Sequence, residues 1–213
     1  MMKNKTINIE LGNVTLKGDL VLPENAIGIV VFSHGSGSSR LSPRNKYVAE
    51  LIQHQKIATL LFDLLTEEED KIYETRFDID LLTSRLIEVT DWLTIQKRTM
   101  NLPLAYFGAS TGAASALQAA AHFGNMIKAV VSRGGRPDLA FNVLQKVTAP
   151  TLLIVGGLDT TVIQINEQAY DELKATKELK IIHGATHLFE EPGKLLETAE
   201  VAIVWFKKNL SKQ

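Results

Sequence analysis

An α/β architecture, with helices on both faces of a doubly wound, mostly parallel sheet, is the fold class this sequence predicts. Three observations predict it. Short apolar runs at 27–32, 58–62, 104–107, 129–132 and 151–155 lack the polar alternation of a half-exposed strand, as strands covered on both faces do. Helical segments alternate with those runs, which calls for crossover connections between parallel strands. At 213 residues and 45% hydrophobic, the chain suffices for one well-buried core, so a single domain over 1–213 is expected.

The elements follow in order. Residues 7–11 and 14–22 alternate apolar with polar side chains, and Gly12-Asn13 between them marks an antiparallel hairpin. After the run at 27–32, Ser42-Pro43 opens a helix with proline at its first position, reaching about residue 55. The strand at 58–62 precedes Glu67-Glu68-Glu69-Asp70, read as a solvated loop or short helix. Ile79, Leu82, Leu86, Val89 and Leu93 then fall at helical spacing within 78–96. The run at 104–107 leads into a helix of small residues over 113–121, able to pack close against a sheet. Strands at 129–132 and 151–155 flank a short helix at 139–146, and a helix at 164–175, a strand at 179–182 and a helix at 193–209 close the chain.

Composition removes several function classes. With no cysteine there can be no disulfide, thiolate metal site or cysteine nucleophile. A net charge of −1 supplies no global basic face, so no nucleic-acid partner is expected. Residues 1–6 lead into strand sequence rather than an apolar leader, and no window approaches a membrane-spanning length, so a cytoplasmic protein without membrane association is expected. No H-E-x-x-H or clustered histidine–carboxylate spacing occurs, so neither a metal nor another cofactor is expected.

The chemistry concentrates at Gly108-Ala109-Ser110-Thr111-Gly112, directly after an apolar strand and before a helix. In G-x-S-x-G the serine occupies a tight strand-to-helix turn, and the flanking glycines remove Cβ atoms that would clash there. The bland reading of Ser110 is a helix N-cap. As a nucleophile it needs a base, and the base needs an acid, in loops after later strands and in the order serine, acid, histidine. Asp159 in Gly156-Gly157-Leu158-Asp159 and His187 in Gly184-Ala185-Thr186-His187 occupy those slots. His183, at a strand end, competes for the role of base, and Asp63, at the end of an earlier strand, for that of acid. His54 and His122 fall on helices.

An oxyanion hole takes two backbone donors. Thr111 N–H follows the nucleophile, and Ser36 N–H in Ser33-His34-Gly35-Ser36-Gly37-Ser38-Ser39 is the second candidate. That loop lacks the lysine of a G-x-x-x-x-G-K-[ST] phosphate cradle.

Carried by His34-Gly35, the 108–112 elbow, Asp159 and His187, the whole chain resembles the dienelactone hydrolase-like group of α/β-hydrolases. The resemblance implies an eight-stranded sheet with the triad on its C-terminal edge. Dienelactone hydrolases use a cysteine nucleophile where this chain has Ser110, so the resemblance implies serine esterase-like activity. The run from Ser132 to Asp138 is also similar to a subgroup of small hydrolases, some fused to phosphoribosyltransferase domains.

Only a short segment separates the strands ending near 132 and beginning near 151, too little for a cap domain, so an open site for a small substrate is expected. Arg40, Arg44, Arg133 and Arg136 fall in loops bordering it. Arg133, Arg40 and Arg44, with His34, are the substrate-binding candidates, the arginines for an anionic group. The alternative is that these arginines pair with local acids such as Asp138. Ester, lactone or thioester hydrolysis, acyl transfer by the same triad, and a non-catalytic binding module all remain readings of the scaffold, and the joint presence of Ser110, Asp159 and His187 favours an enzyme. A small molecule is the expected partner, and a homodimer is allowed.

Overall fold

The computed structural model describes residues 5–211. Eight strands form one sheet in the order β1-β2-β4-β3-β5-β6-β7-β8. They are β1 (Lys5–Leu11), β2 (Val14–Val21), β3 (Ile29–Ser33), β4 (Ala58–Phe62), β5 (Leu104–Ala109), β6 (Ile127–Arg133), β7 (Thr151–Gly156) and β8 (Lys177–Ile182). The β1–β2 hairpin closes at Leu11↔Val14, and β2 runs antiparallel to β4. All remaining pairs are parallel. Every residue of β3, β4, β5 and β7 is buried, the physical counterpart of their unbroken apolar sequence, whereas edge strand β8 alternates in exposure.

Five α-helices cover the faces: α1 (Pro43–Gln53), α2 (Ile79–Ile95), α3 (Thr111–Phe123), α4 (Thr160–Glu172) and α5 (Lys194–Leu210). Successive strand residues point to opposite faces. Tyr106 therefore packs with Leu86 and Leu117 beneath α2 and α3, while Phe107 joins Phe32 and Phe206 beneath α1 and α5. No helix among the described residues is long and apolar enough to cross a membrane.

Two segments depart from the sequence reading. Helix α4 begins at Thr160, immediately after Asp159, rather than near 164. Its N-cap side chain makes no capping bond, and β-branched Thr160-Thr161-Val162 lacks the usual start signal. The expected helix at 139–146 is a 3-10 segment from Pro137 to Lys146, kinked at Ala140 (φ −125°, ψ 15°). It packs on α3 and α4 and is the whole content of the β6–β7 connection, so no cap covers the strand ends there. The acidic stretch agrees with its reading as a loop or short helix, forming a 3-10 turn at Glu69–Lys71, and a second such turn follows at Glu74–Phe77.

Candidate active site

Ser110 sits between β5 and α3 at φ 53°, ψ −123°, a left-handed conformation that costs a non-glycine residue about 1–3 kcal/mol. The surroundings hold it there. Ser110 N–H donates to Arg133 O (3.1 Å), and Ser110 O accepts from Arg136 N–H (3.0 Å) and Ala113 N–H (3.0 Å). A Cβ on Gly108 would stand 2.5 Å from Ala113 Cα, so the elbow closes only with glycine there. Ser110 occupies the N-cap position of α3, but its side chain makes no cap bond to the helix, which leaves its hydroxyl uncommitted.

His187 Nδ1–H donates to Asp159 Oδ2 at 2.6 Å. A carboxylate can only accept, so the bond assigns the proton to Nδ1 and leaves a lone pair on Nε2. The elbow and this pair meet at Arg133-Gly134. Arg133 O holds Ser110 N–H, and a Cβ on Gly134 would come within 3.5 Å of His187 Cε1. Gly35 closes the other side: its Cβ would lie 3.0 Å from Ser110 Cβ and 3.7 Å from Ser110 Oγ. No hydrogen bond joins Ser110 Oγ to His187 among the described residues, a looseness common in unliganded sites.

The competing residues form no such acid–base pair among the described residues. His183 is exposed at the end of β8. Asp63 is spent on Arg40, accepting from its Nη1 (2.7 Å) and its backbone N–H (2.8 Å).

The oxyanion candidates are adjacent, with a twist. Thr111 is the first residue of α3, where helix geometry leaves N–H groups unpaired. Ser36 N–H, however, donates to Thr111 Oγ1 (2.8 Å), so a substrate oxyanion would have to displace that hydroxyl.

Two of the substrate-binding candidates are engaged within the protein itself. His34 Nε2 accepts from Leu64 N–H (3.1 Å), and its Nδ1–H donates to Gly35 O (3.0 Å), so both ring nitrogens serve the backbone. The ring is 7% exposed and ties the oxyanion loop to the segment after β4. Burial lowers its pKa from 6.5, because protonation at Nε2 would charge a buried ring and break the Leu64 bond. Neutral His34 thus contributes its full stability above about pH 6.5, and that contribution is lost as pH falls through the lowered folded value. Thermal melting from pH 8 to pH 5 is expected to show a loss of Tm that is smaller in His34→Gln; an equal loss in both proteins would refute this role. Arg40 is likewise an anchor, bridging Asp63 and, at 3.8 Å, Asp19, beside a separate recess of about 170 Å³. Arg136 pairs bidentately with Asp138 (2.9 and 2.7 Å).

Arg133 differs from all of these. It is 8% exposed, its Nε and Nη1 are enclosed without a hydrogen-bond partner, and its guanidinium lies 6.0 Å from the ring centres of both Phe107 and Phe189. Burial, and then the charge of Arg44, push its pKa down to about 10, so it stays cationic at neutral pH. An uncompensated buried charge costs roughly 3–5 kcal/mol. A ring at 6 Å returns only about 0.5–1 kcal/mol. Arg44 pairs with Glu190 and keeps its Nε buried and unpaired.

Sequence reasoning missed the groups that hold this arrangement. Phe189, fully buried at φ 58°, forms one wall around Arg133; an aromatic residue two positions after the candidate base was its only sign. Asn166 Nδ2 donates to Gly135 O (3.0 Å) and fixes the turn after β6; a polar residue on the inner face of α4 was the available signal.

Known proteins share this chain's fold and much of its sequence. A dienelactone hydrolase from Anabaena variabilis ATCC 29413 is 54% identical, and the alignment covers 98% of each chain at a TM-score of 0.96. Est1E from Butyrivibrio proteoclasticus shares the fold at 16% identity, covering 97% of this chain and 99% of that one with a TM-score of 0.84. Two Mycobacterium tuberculosis proteins, from strains CDC 1551 and H37Rv, are 53% identical over 209 residues, or 98% of this chain, and carry the name "Putative phosphoribosyl transferase". The match takes up 47% of each, so the chain spans about half the length of these curated relatives. The model of the dienelactone hydrolase family matches residues 43–207, a span containing the elbow, Asp159 and His187. The chain belongs to the dienelactone hydrolase family.

Proposed function

We propose that the chain is a serine hydrolase that cleaves a small ester, lactone or thioester through an acyl-enzyme on Ser110. The observation that carries this reading is the strained elbow serine, its hydroxyl uncommitted, beside a histidine whose proton is assigned to Nδ1 by Asp159. In the proposed reaction His187 Nε2 takes the Ser110 proton as Oγ attacks the substrate carbonyl carbon. The carbonyl oxygen becomes an oxyanion at Thr111 N–H and Ser36 N–H, displacing Thr111 Oγ1 from the latter. Collapse of the tetrahedral intermediate breaks the bond to the leaving alkoxide or thiolate, which receives the proton from His187. Water then attacks the acyl-enzyme, giving its proton to Nε2, and the acid product departs as Ser110 regains its own.

The uncapped strand ends suit small substrates with open access better than long acyl chains. The transferase name of the mycobacterial relatives belongs to proteins about twice as long, and this chain, which matches about half of each, itself carries Ser110, Asp159 and His187. We therefore assign acyl chemistry, and not phosphoribosyl transfer, to this half.

A fluorophosphonate probe tests the reading. The expected result is one covalent adduct per chain, mapped by peptide mass spectrometry to the fragment containing Ser110. Well-folded protein that forms no adduct would exclude an activated serine and leave the binding-module reading.

A further inference from the structure

The least accounted-for group in the molecule is the Arg133 guanidinium. Every other arginine at the strand ends has an acidic partner: Arg40 has Asp63, Arg44 has Glu190 and Arg136 has Asp138. Among the described residues Arg133 has no acidic partner within ion-pair distance, although it is the most enclosed of the four. Proteins keep buried charges paired because the alternative is costly.

Its placement is specific. Arg133 ends β6, its carbonyl holds the N–H of Ser110, and the next residue, Gly134, lies against His187. Its side chain occupies the α1/α5 side of the sheet, between Phe107 and Phe189. Arg44, in the first turn of α1, pairs with Glu190, the residue directly after the Phe189 that walls Arg133, which brings the two arginines to the same side of the elbow. That turn contains no acidic residue, so the positive end of the helix dipole adds to two guanidinium charges. One carboxylate, Glu190, answers Arg44 alone, and the enclosed, unpaired nitrogens are Arg133 Nε, Arg133 Nη1 and Arg44 Nε.

We infer that Arg133 and Arg44 form an anion subsite beside the Ser110 elbow that takes a phosphate group carried by the substrate. The geometry favours phosphate over carboxylate. The donors come from two elements, a strand end and a helix start. A carboxylate offers two oxygens in one plane, which suits a single guanidinium. A phosphate offers oxygens around a tetrahedron, so different oxygens can face the two elements; one of its negative charges balances the single positive charge that Glu190 leaves, and the second falls at the positive end of the α1 dipole. The placement of this group on a substrate rests on the hydrolase reading; the anion site itself does not.

Inorganic phosphate is the probe, titrated calorimetrically into Ser110→Ala at fixed ionic strength, with acetate as the planar comparison. One saturable phosphate site is expected, about tenfold or more tighter than acetate. Adding Arg133→Met is expected to weaken phosphate about tenfold or more, with Arg133→Lys intermediate because it keeps the charge and loses the fork. Melting curves establish that each variant is folded. Arg44→Met, at a more exposed position, is the second variant, and a loss of about threefold or more is expected there. Phosphate affinity unchanged by both Arg133→Met and Arg44→Met, absence of a saturable site, or acetate binding as tightly as phosphate would each overturn the inference. Because Ser110→Ala has no nucleophile, phosphate binding that persists where the fluorophosphonate adduct fails would remove the hydrolase reading and keep the subsite.

Discussion

Replacing Ser110 with alanine is expected to lower kcat for a short-chain ester by about 10⁶-fold, and Asp159→Asn by about 10⁴-fold. The two losses have different causes. Ser110→Ala removes the atom that attacks, leaving only the oxyanion donors and substrate binding. Asp159→Asn leaves nucleophile and ring in place, but an amide at the 2.6 Å position can present N–H to His187 Nδ1. The ring then favours a proton on Nε2, where it cannot accept one from Ser110, and loses the negative charge that stabilises its imidazolium. The double variant should be no worse than Ser110→Ala alone, because the groups act as a unit. Steady-state kinetics with burst analysis checks all three proteins. Additive losses in the double variant would mean that Asp159 acts independently of Ser110 and would refute the triad.

The second large effect is on stability. An alanine Cβ at Gly112 would stand 2.2 Å from Ser33 O and 2.4 Å from His34 O, both backbone atoms with little room to yield. Helix α3 begins directly on the end of β3, tied by the Ser33–Ser115 hydroxyl bond (2.7 Å) and by Ser36 N–H to Thr111 Oγ1 (2.8 Å). Gly112→Ala must push these apart. A cost of about 3 kcal/mol or more is expected, at the upper end of overpacking penalties. For a chain of this size that corresponds to a fall in Tm of roughly 6–12 °C. Activity should fall further than the unfolded fraction explains, since the same displacement moves Gly35 and Ser36 away from Ser110. Calorimetry with kcat measured well below the new Tm separates the two. A Tm within about 2 °C of wild type would show that the contact yields freely.

The legible parts of the fold were those written in local pattern. Buried parallel strands show as unbroken apolar runs because both faces are covered, and Tyr106 and Phe107 could be assigned to a strand without knowing that they serve different cores. The elbow was legible from its motif spacing, and Gly108 answers a contact within a few residues, against Ala113, whereas the contacts that require Gly112, with Ser33 and His34, are distant in sequence. Asp159 and His187 were nominated by position, since loops after strands of a parallel sheet share one edge. The start of α4 was not legible, because Asp159 spends its side chain on His187 rather than on capping its own helix.

The charged residues show the limit. Arg40, Arg44, Arg133 and Arg136 are equivalent as sequence, four arginines in loops after strands. Their roles separate only when distant acids arrive: Asp63 takes Arg40, Glu190 takes Arg44, and Arg133 finds none. His34 likewise looked available until Leu64 N–H, thirty residues on, was found on its Nε2.

By itself, then, the sequence determined the order of strands and helices, the elbow, and the residue types fit for nucleophile, acid and base. These depend on backbone preferences and side-chain periodicity over a few neighbouring residues. Only the tertiary structure decided which polar groups are satisfied and which are left buried without a partner. That property belongs to pairs of residues brought together across the sheet edge, and no local pattern records it.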